Sequence, residues 1–154
     1  MENSDFSGFS IVEAECCGCH ACELACKQEH GLNTGPRLIR VLEASPRFLP
    51  VYCRQCPDPP CAQPCPTGAI YRHSSGVVLI AEERCTGCGA CVEACPYGAM
   101  QLDLAHNRAV KCDLCLHRLG NGGPPACVRV CPTRCIRWDG IGCRIAEVLS
   151  PPLS

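Results

Sequence analysis

Apolar residues in this chain come in short runs. Val77-Val78-Leu79-Ile80 and the stretch from Met100 to Leu104 are two of them, each flanked by turn-forming residues, and both read as strands of small hairpins. Arg37 to Leu42 is a third strand candidate. Three-residue gaps between cysteines, such as Val92-Glu93-Ala94, suit a single turn of helix, and a proline after the closing cysteine then stops it. Gly120 to Pro125 reads as a plain loop. No apolar run approaches the ~18 residues needed to span a membrane, and Ile145 to Leu149 is too short to anchor the chain. The pattern predicts an α+β chain of short hairpins and short helices, with no membrane insertion.

Composition shows why such short elements need help. The chain has 154 residues but only 3 Phe, 3 Tyr and 1 Trp, so its hydrophobic core is thin. Its 19 cysteines are the obvious substitute. Disulfides fit poorly: the count is odd, and residues 1–10 carry neither a basic start, nor an apolar signal core, nor a twin-arginine pair. The expected location is therefore the cytoplasm, where cysteine serves metals or redox work. A formal net charge of −1 argues against a nucleic-acid partner.

The cysteines fall into four groups: Cys16, Cys19, Cys22, Cys26; Cys53, Cys56, Cys61, Cys65; Cys85, Cys88, Cys91, Cys95; and Cys112, Cys115, Cys127, Cys131. The first and third share the spacing C-x2-C-x2-C-x3-C, while the second and fourth widen the middle gap. The surrounding text repeats as well. Cys16-Cys17-Gly18-Cys19-His20-Ala21-Cys22 aligns with Cys85-Thr86-Gly87-Cys88-Gly89-Ala90-Cys91. Cys65-Pro66-Thr67-Gly68-Ala69, Cys95-Pro96-Tyr97-Gly98-Ala99 and Cys131-Pro132-Thr133-Arg134-Cys135 align too; after Cys26 stands Lys27 instead. In this register Cys17 matches Thr86 and Cys135 matches alanines, so both read as non-ligands, Cys135 as a small packing residue. Cys143 stands alone and reads the same way.

Three cysteines at C-x2-C-x2-C let one tight loop wrap three corners of a cubane cluster. In the bacterial run C-x2-C-x2-C-x3-C-P the last cysteine serves the other cluster of a pair. Four such groups imply two exchanged pairs and four [4Fe-4S] clusters. Zinc prefers two separated C-x2-C pairs and remains an alternative for the fourth group alone. Sixteen thiolates and four oxidised cores would take the chain to about −9. Lys27, Arg54, Arg84, Lys111, Arg129, Arg134 and Arg137, all within two residues of a cysteine, are candidates to offset that charge and raise cluster potentials. Nothing reads as catalytic. His20, His30, His73, His106 and His117 are scattered and expected to face solvent, and Gly120-Asn121-Gly122-Gly123 leads into prolines rather than a phosphate-binding helix.

From about Glu15 to Trp138 the sequence resembles the four-cluster ferredoxin-like subunits of dimethyl sulfoxide reductase-type and formate dehydrogenase-type enzymes. The four groups, Cys53-Arg54-Gln55-Cys56-Pro57-Asp58-Pro59-Pro60-Cys61 and Lys111-Cys112-Asp113-Leu114-Cys115 carry the resemblance. It implies two bacterial-type ferredoxin-like modules of two clusters each. One spans 11–49 plus 106–149; the other, 50–105, is inserted in it, with tails at 1–10 and 150–154. It also implies the ligand sets Cys16, Cys19, Cys22, Cys131; Cys112, Cys115, Cys127, Cys26; Cys53, Cys56, Cys61, Cys95; and Cys85, Cys88, Cys91, Cys65. The chain is similar to short soluble members without a membrane helix or C-terminal extension, such as electron-transfer subunits of tungsten or molybdenum aldehyde oxidoreductases. The implied role is a wire from a large pterin-containing catalytic subunit to a second partner, a flavin/NAD subunit or a ferredoxin, with end-to-end self-stacking as a further arrangement. A freely diffusing polyferredoxin is the alternative, as is the carrier of a carbon monoxide dehydrogenase, formate hydrogenlyase or hydrogenase. With so little core, the metal-free chain is expected to be largely unfolded.

Overall fold

The computed structural model describes residues 9–32 and 34–138. Cys143, the stretch Ile145 to Leu149 and the tail at 150–154 lie outside the described residues. Twelve short helices and strands follow one another: β1 Phe9–Ile11, α1 Ala21–His30, β2 Arg40–Ala44, β3 Arg47–Val51, β4 Ile70–Arg72, β5 Val78–Ile80, α2 Ala90–Ala94, β6 Gln101–Asp103, β7 Arg108–Val110, α3 Leu116–Gly120, α4 Ala126–Val130 and β8 Ile136–Trp138. Single 3-10 turns, Glu13–Glu15 and Glu82–Arg84, precede Cys16 and Cys85. No helix of the described residues is long and apolar enough to cross a membrane.

The strands form four antiparallel two-stranded sheets, β1-β8, β2-β3, β4-β5 and β6-β7. Every cysteine group therefore leaves along one strand, and that strand pairs with the strand entering the next group. The pairing of β1 with β8, Phe9 opposite Trp138 and Ile11 opposite Ile136, returns the last group to the first. The sheets thus close a ring of four cysteine loops. Phe9 and Ser10, expected in a tail, belong to this closing sheet.

Local sequence explains where elements start and stop. After Cys26 there is no proline, so α1 runs on to His30 and ends at Gly31, whose φ of 64° lets Leu32 N–H reach the Lys27 carbonyl at 2.9 Å. The strand expected over Arg37 to Leu42 begins only at Arg40, because the backbone of Arg37 bonds the Gln101 side chain instead of a strand. Leu38 and Ile39, both buried, fill the core in succession rather than alternating. The runs 77–80 and 100–104 shorten to β5 and β6, since Val77 closes the turn through its carbonyl with His73 N–H. The expected loop at Gly120–Pro125 is the connection between α3 and α4, with Gly120 as the last helical residue.

Two apolar clusters hold these pieces. The first joins Phe9, Leu38, Val41, Tyr52, Leu114, Leu119 and Ile136 to Cys22, Cys26 and Cys127, with Cys16, Cys112 and Cys131 packed against it. The second joins Ile70, Val78 and Met100 to Cys61 and Cys91, with Cys85 and Cys95 at its edge. Cysteines of the first and fourth groups thus share one core and those of the second and third share the other. Val77 and Leu79 nevertheless pack into the first core, so the halves are not separate bodies. Leu114, Leu119, Val77 and Val78 are essentially inaccessible, and such side chains stabilise a fold by about 1.5–3 kcal/mol each.

Candidate iron–sulfur centres

The repeat seen in the sequence is a repeat of backbone. The 3-10 turns present Cys16 and Cys85 through N–H bonds to the carbonyls of Glu13 (3.0 Å) and Glu82 (3.2 Å). The chain then turns left-handed at Gly18 and Gly87 (φ 70° and 74°), and again at His20 and Gly89 (φ 60° and 80°). A Cβ on Gly87 would lie 2.4 Å from the Asn107 carbonyl oxygen, and one on Gly18 would lie 2.4 Å from the Phe48 ring. Each loop is thus pressed against its supporting hairpin, β6-β7 for one and β2-β3 for the other. Asn107 fixes this contact by donating from Nδ2 to the Thr86 carbonyl at 3.3 Å.

The exits repeat as well. Gly68, Gly98 and Arg134 all adopt positive φ (63°, 66° and 55°), three residues after Cys65, Cys95 and Cys131. That turn swings a later N–H onto the sulfur: Ala69 N–H to Cys65 Sγ at 3.3 Å, Ala99 N–H to Cys95 Sγ at 3.4 Å. Other sulfurs accept N–H groups from Gln55 (Cys53, 3.5 Å), Ala109 (Cys85, 3.3 Å) and Leu114 (Cys112, 3.4 Å). These are donors suited to anionic sulfur.

Two cavities show which thiols converge. One is lined by Cys85, Cys88, Cys91 and Cys65. The other is lined by Cys16, Cys19, Cys22 and Cys131, with Cys17, Cys135 and His20 also at its wall. In both, three thiols of one loop meet the exit thiol of a different group. Several of the remaining eight thiols lie in one another's field, with Cys91 and Cys22 of the first two cavities also close to them. After burial, the field of Cys53 and, further down, Cys95 pushes Cys61 up to about 11. Burial and then Cys115, Cys26 and Cys22 push Cys127 well up. Burial likewise raises Cys22 to about 12, and raises Cys91, Cys112 and Cys115. At Cys65 and Cys131 the upward push of burial is outweighed by hydrogen bonds, Ala69 N–H on one and Ile136 N–H on the other, and both thiols fall to about 7. Clustered thiols in apolar surroundings, partly wrapped by N–H donors, fit cubane clusters, which replace the thiol protons with iron. Zinc closed by the fourth group alone fits less well, because Cys131 lines the cavity of Cys16, Cys19 and Cys22.

Several supporting residues left no signal in the sequence. Glu23 is buried yet accepts from Val41 N–H (2.6 Å) and Arg37 Nη1 (3.0 Å), tying α1 to β2. His30 is not solvent-facing: Nε2 meets Asp113 Oδ1 at 2.9 Å and Nδ1 lies 3.7 Å from Cys26 Sγ. The Asp113 bond first, then Cys26, holds its imidazolium up to about 11. His30, Asp113 and Cys115 could jointly hold a metal ion, but Cys115 is one of the sixteen expected thiols, so the trio belongs to that centre. His20 is half-buried against Glu23 at 3.1 Å, and His73, His106 and His117 contact Ser75, Asp103 and Glu29. Of the seven expected cations, Lys111 is buried, and Arg137 is occupied by Glu15 at 3.0 Å. Cys17 is exposed; Cys135 is buried with its sulfur 3.6 Å from that of Cys131. None of the described cysteines is in a disulfide.

Comparison with known proteins agrees with this chemistry. The profile of the 4Fe-4S dicluster domain matches residues 44–140. The B subunit of the anaerobic dimethyl sulfoxide reductase of Haemophilus influenzae is 36% identical over 151 residues, covering 87% of this chain and 74% of that protein. The thiosulfate reductase electron transfer subunit of Salmonella typhi is 38% identical, covering 82% of this chain and 71% of its own length. A putative electron transport protein of Escherichia coli is 40% identical, covering 84% and 87%. The chain belongs to the 4Fe-4S dicluster family, among the electron-transfer subunits of oxidoreductase complexes, and is not itself the catalyst.

Proposed function

We propose that this chain carries four [4Fe-4S] clusters and relays electrons between a molybdenum- or tungsten-pterin reductase subunit and a second redox partner in the cytoplasm. The observation that carries the reading is the pair of cavities in which three loop thiols meet the exit thiol of another group. The same exchange, applied to the other two groups, gives the sets Cys53, Cys56, Cys61, Cys95 and Cys112, Cys115, Cys127, Cys26. Bound clusters would supply one-electron redox chemistry. The chain's own residues hold the thiols at fixed spacing, aim N–H groups at sulfur, and exclude water with Ile70, Ile80, Val41 and Ile136. Ferredoxin-like modules at 11–49 plus 106–149 and at 50–105 agree with the way the two cores divide the cysteines.

The relatives are named for dimethyl sulfoxide, thiosulfate and tetrathionate reductases. They give no support to an aldehyde oxidoreductase subunit, and the proposed partner is accordingly a catalytic subunit of the dimethyl sulfoxide or thiosulfate reductase type. The test is anaerobic isolation at native levels, with iron, sulfide and heavy-metal analysis. About sixteen iron atoms per molecule and a co-eluting large subunit with molybdenum or tungsten are expected. A protein that elutes alone would favour the diffusing polyferredoxin, and about eight iron atoms would halve the cluster count.

A further inference from the structure

At the junction of the two halves lies a buried polar pair, Lys111 and Gln55, each less than a tenth exposed. All three donors of the Lys111 ammonium find oxygen: the Val78 carbonyl, the Cys112 carbonyl at 2.6 Å and Gln55 Oε1 at 3.4 Å. Gln55 completes the bridge. Its Nε2 donates to the Cys112 carbonyl at 2.8 Å, its Oε1 accepts from Val78 N–H at 2.8 Å, and its backbone N–H meets Cys53 Sγ at 3.5 Å. Gln55 also holds a left-handed φ of 51°, unusual for its type, which shows how tightly the surroundings fix it.

A buried ammonium is costly, and an apolar side chain of similar volume often packs as well or better. Such a charge is worth its desolvation where strong negative charge lies beside it. Cys112 and Cys53 flank that place: the Lys111 ammonium lies 2.6 Å from the Cys112 carbonyl, and Gln55, bonded to both, gives its backbone N–H to Cys53 Sγ at 3.5 Å. The bridge thus touches a ligand residue of two different sets, one from each half: Gln55 N–H meets the Cys53 sulfur, while Lys111 and Gln55 Nε2 both meet the Cys112 carbonyl. Arg84, one residue before Cys85 as Lys111 is before Cys112, is exposed and has no such position.

We propose that Lys111, held by Gln55, is the positioning charge of the crossing between the two halves, raising together the potentials of the clusters on Cys53, Cys56, Cys61, Cys95 and on Cys112, Cys115, Cys127, Cys26. The proposal rests on the four-cluster reading above. Clusters held on these two sets would exchange one electron at a time, and the Lys111 ammonium beside both would favour their more negative, reduced forms. The hydrogen bonds of Lys111 run to Gln55, Val78 and Cys112, none of them in the sets Cys85, Cys88, Cys91, Cys65 or Cys16, Cys19, Cys22, Cys131, and clusters on those two sets are expected to depend on it little.

The experiment is a redox titration, followed by electron paramagnetic resonance, of the purified complex with the wild-type, Lys111→Met and Lys111→Arg proteins. Iron content is measured first; wild type with fewer than four clusters would refute the underlying reading rather than this one. In the fully loaded Lys111→Met protein, two transitions are expected to fall by at least tenfold in reduction constant, about 59 mV for a one-electron couple. The other two should hold, and Lys111→Arg should restore the first two. Four unmoved transitions, or four that fall alike, overturn the proposal. Should Lys111→Met fail to load, Gln55→Glu, which sets a carboxylate against the ammonium, is read in the same way, and an unshifted pair overturns it equally.

Discussion

Gly87→Ala isolates how much of a centre depends on one close backbone approach. An alanine in the left-handed region costs roughly 1–2 kcal/mol. Its Cβ would also stand 2.4 Å from the Asn107 carbonyl oxygen, 2.7 Å from Asn107 Oδ1 and 2.9 Å from its carbonyl carbon. Asn107 cannot easily retreat, because it has its own left-handed φ of 49° in the β6-β7 turn and is bonded to Thr86. Overpacking of this kind adds about 1–3 kcal/mol. Gly68→Ala is the matched control: it has a φ of 63°, serves the same centre through Cys65, and has nothing within 4 Å of its added Cβ. Both variants would be loaded anaerobically and measured for iron, sulfide and denaturant midpoint. Gly68→Ala is expected to keep full iron with a small loss of stability. Gly87→Ala is expected to lose about a quarter of the iron, the share of one cluster in four, or to fall about 1–3 kcal/mol further in stability. Equal iron and equal midpoints would refute the reasoning that the loop is seated on the hairpin turn.

Two further outcomes follow from the same structure. Removal of iron by a chelator under anaerobic conditions should abolish the near-ultraviolet circular dichroism and cooperative melting, since both apolar cores include cluster thiols; a metal-free protein that still melts cooperatively would contradict this. Cys135→Ala should retain the full iron content of the unaltered protein, because alanine stands at the matching positions Ala69 and Ala99. Loss of one cluster's iron would make Cys135 a ligand despite its place in the repeat.

The sequence announces the parts of this molecule that depend on local spacing. The thiol loops, the proline-stopped turns before Cys95 and Cys131, and the strands β5 and β6 all rest on contacts within a few residues. Long-range pairing is what it conceals. Strand β1 is only three residues, and its partner β8 lies more than 120 positions away, so neither periodicity nor turn chemistry marks them. Buried polar residues are hidden for a related reason. Glu23 and Gln55 look like ordinary surface residues until Val41 and Val78 present backbone donors from distant segments. His30 reads as a stray histidine because its partner, Asp113, is 83 residues further on. The longer α1 was legible in principle, since Lys27 replaces the proline that ends the other exits.

The meeting of Cys131 with the loop of Cys16, Cys19 and Cys22 sets a timetable for biosynthesis. The first loop leaves the ribosome early, but its fourth thiol lies roughly 110 residues later. At 5–20 residues per second, that is a wait on the order of 5–20 seconds with three thiols incompletely sealed. The pocket of Cys65, Cys85, Cys88 and Cys91 closes within a much shorter stretch. The inner half of the molecule is therefore the first able to receive iron. The outer half must wait for Cys131 to join the loop of Cys16, Cys19 and Cys22 before its fourth thiol is in place.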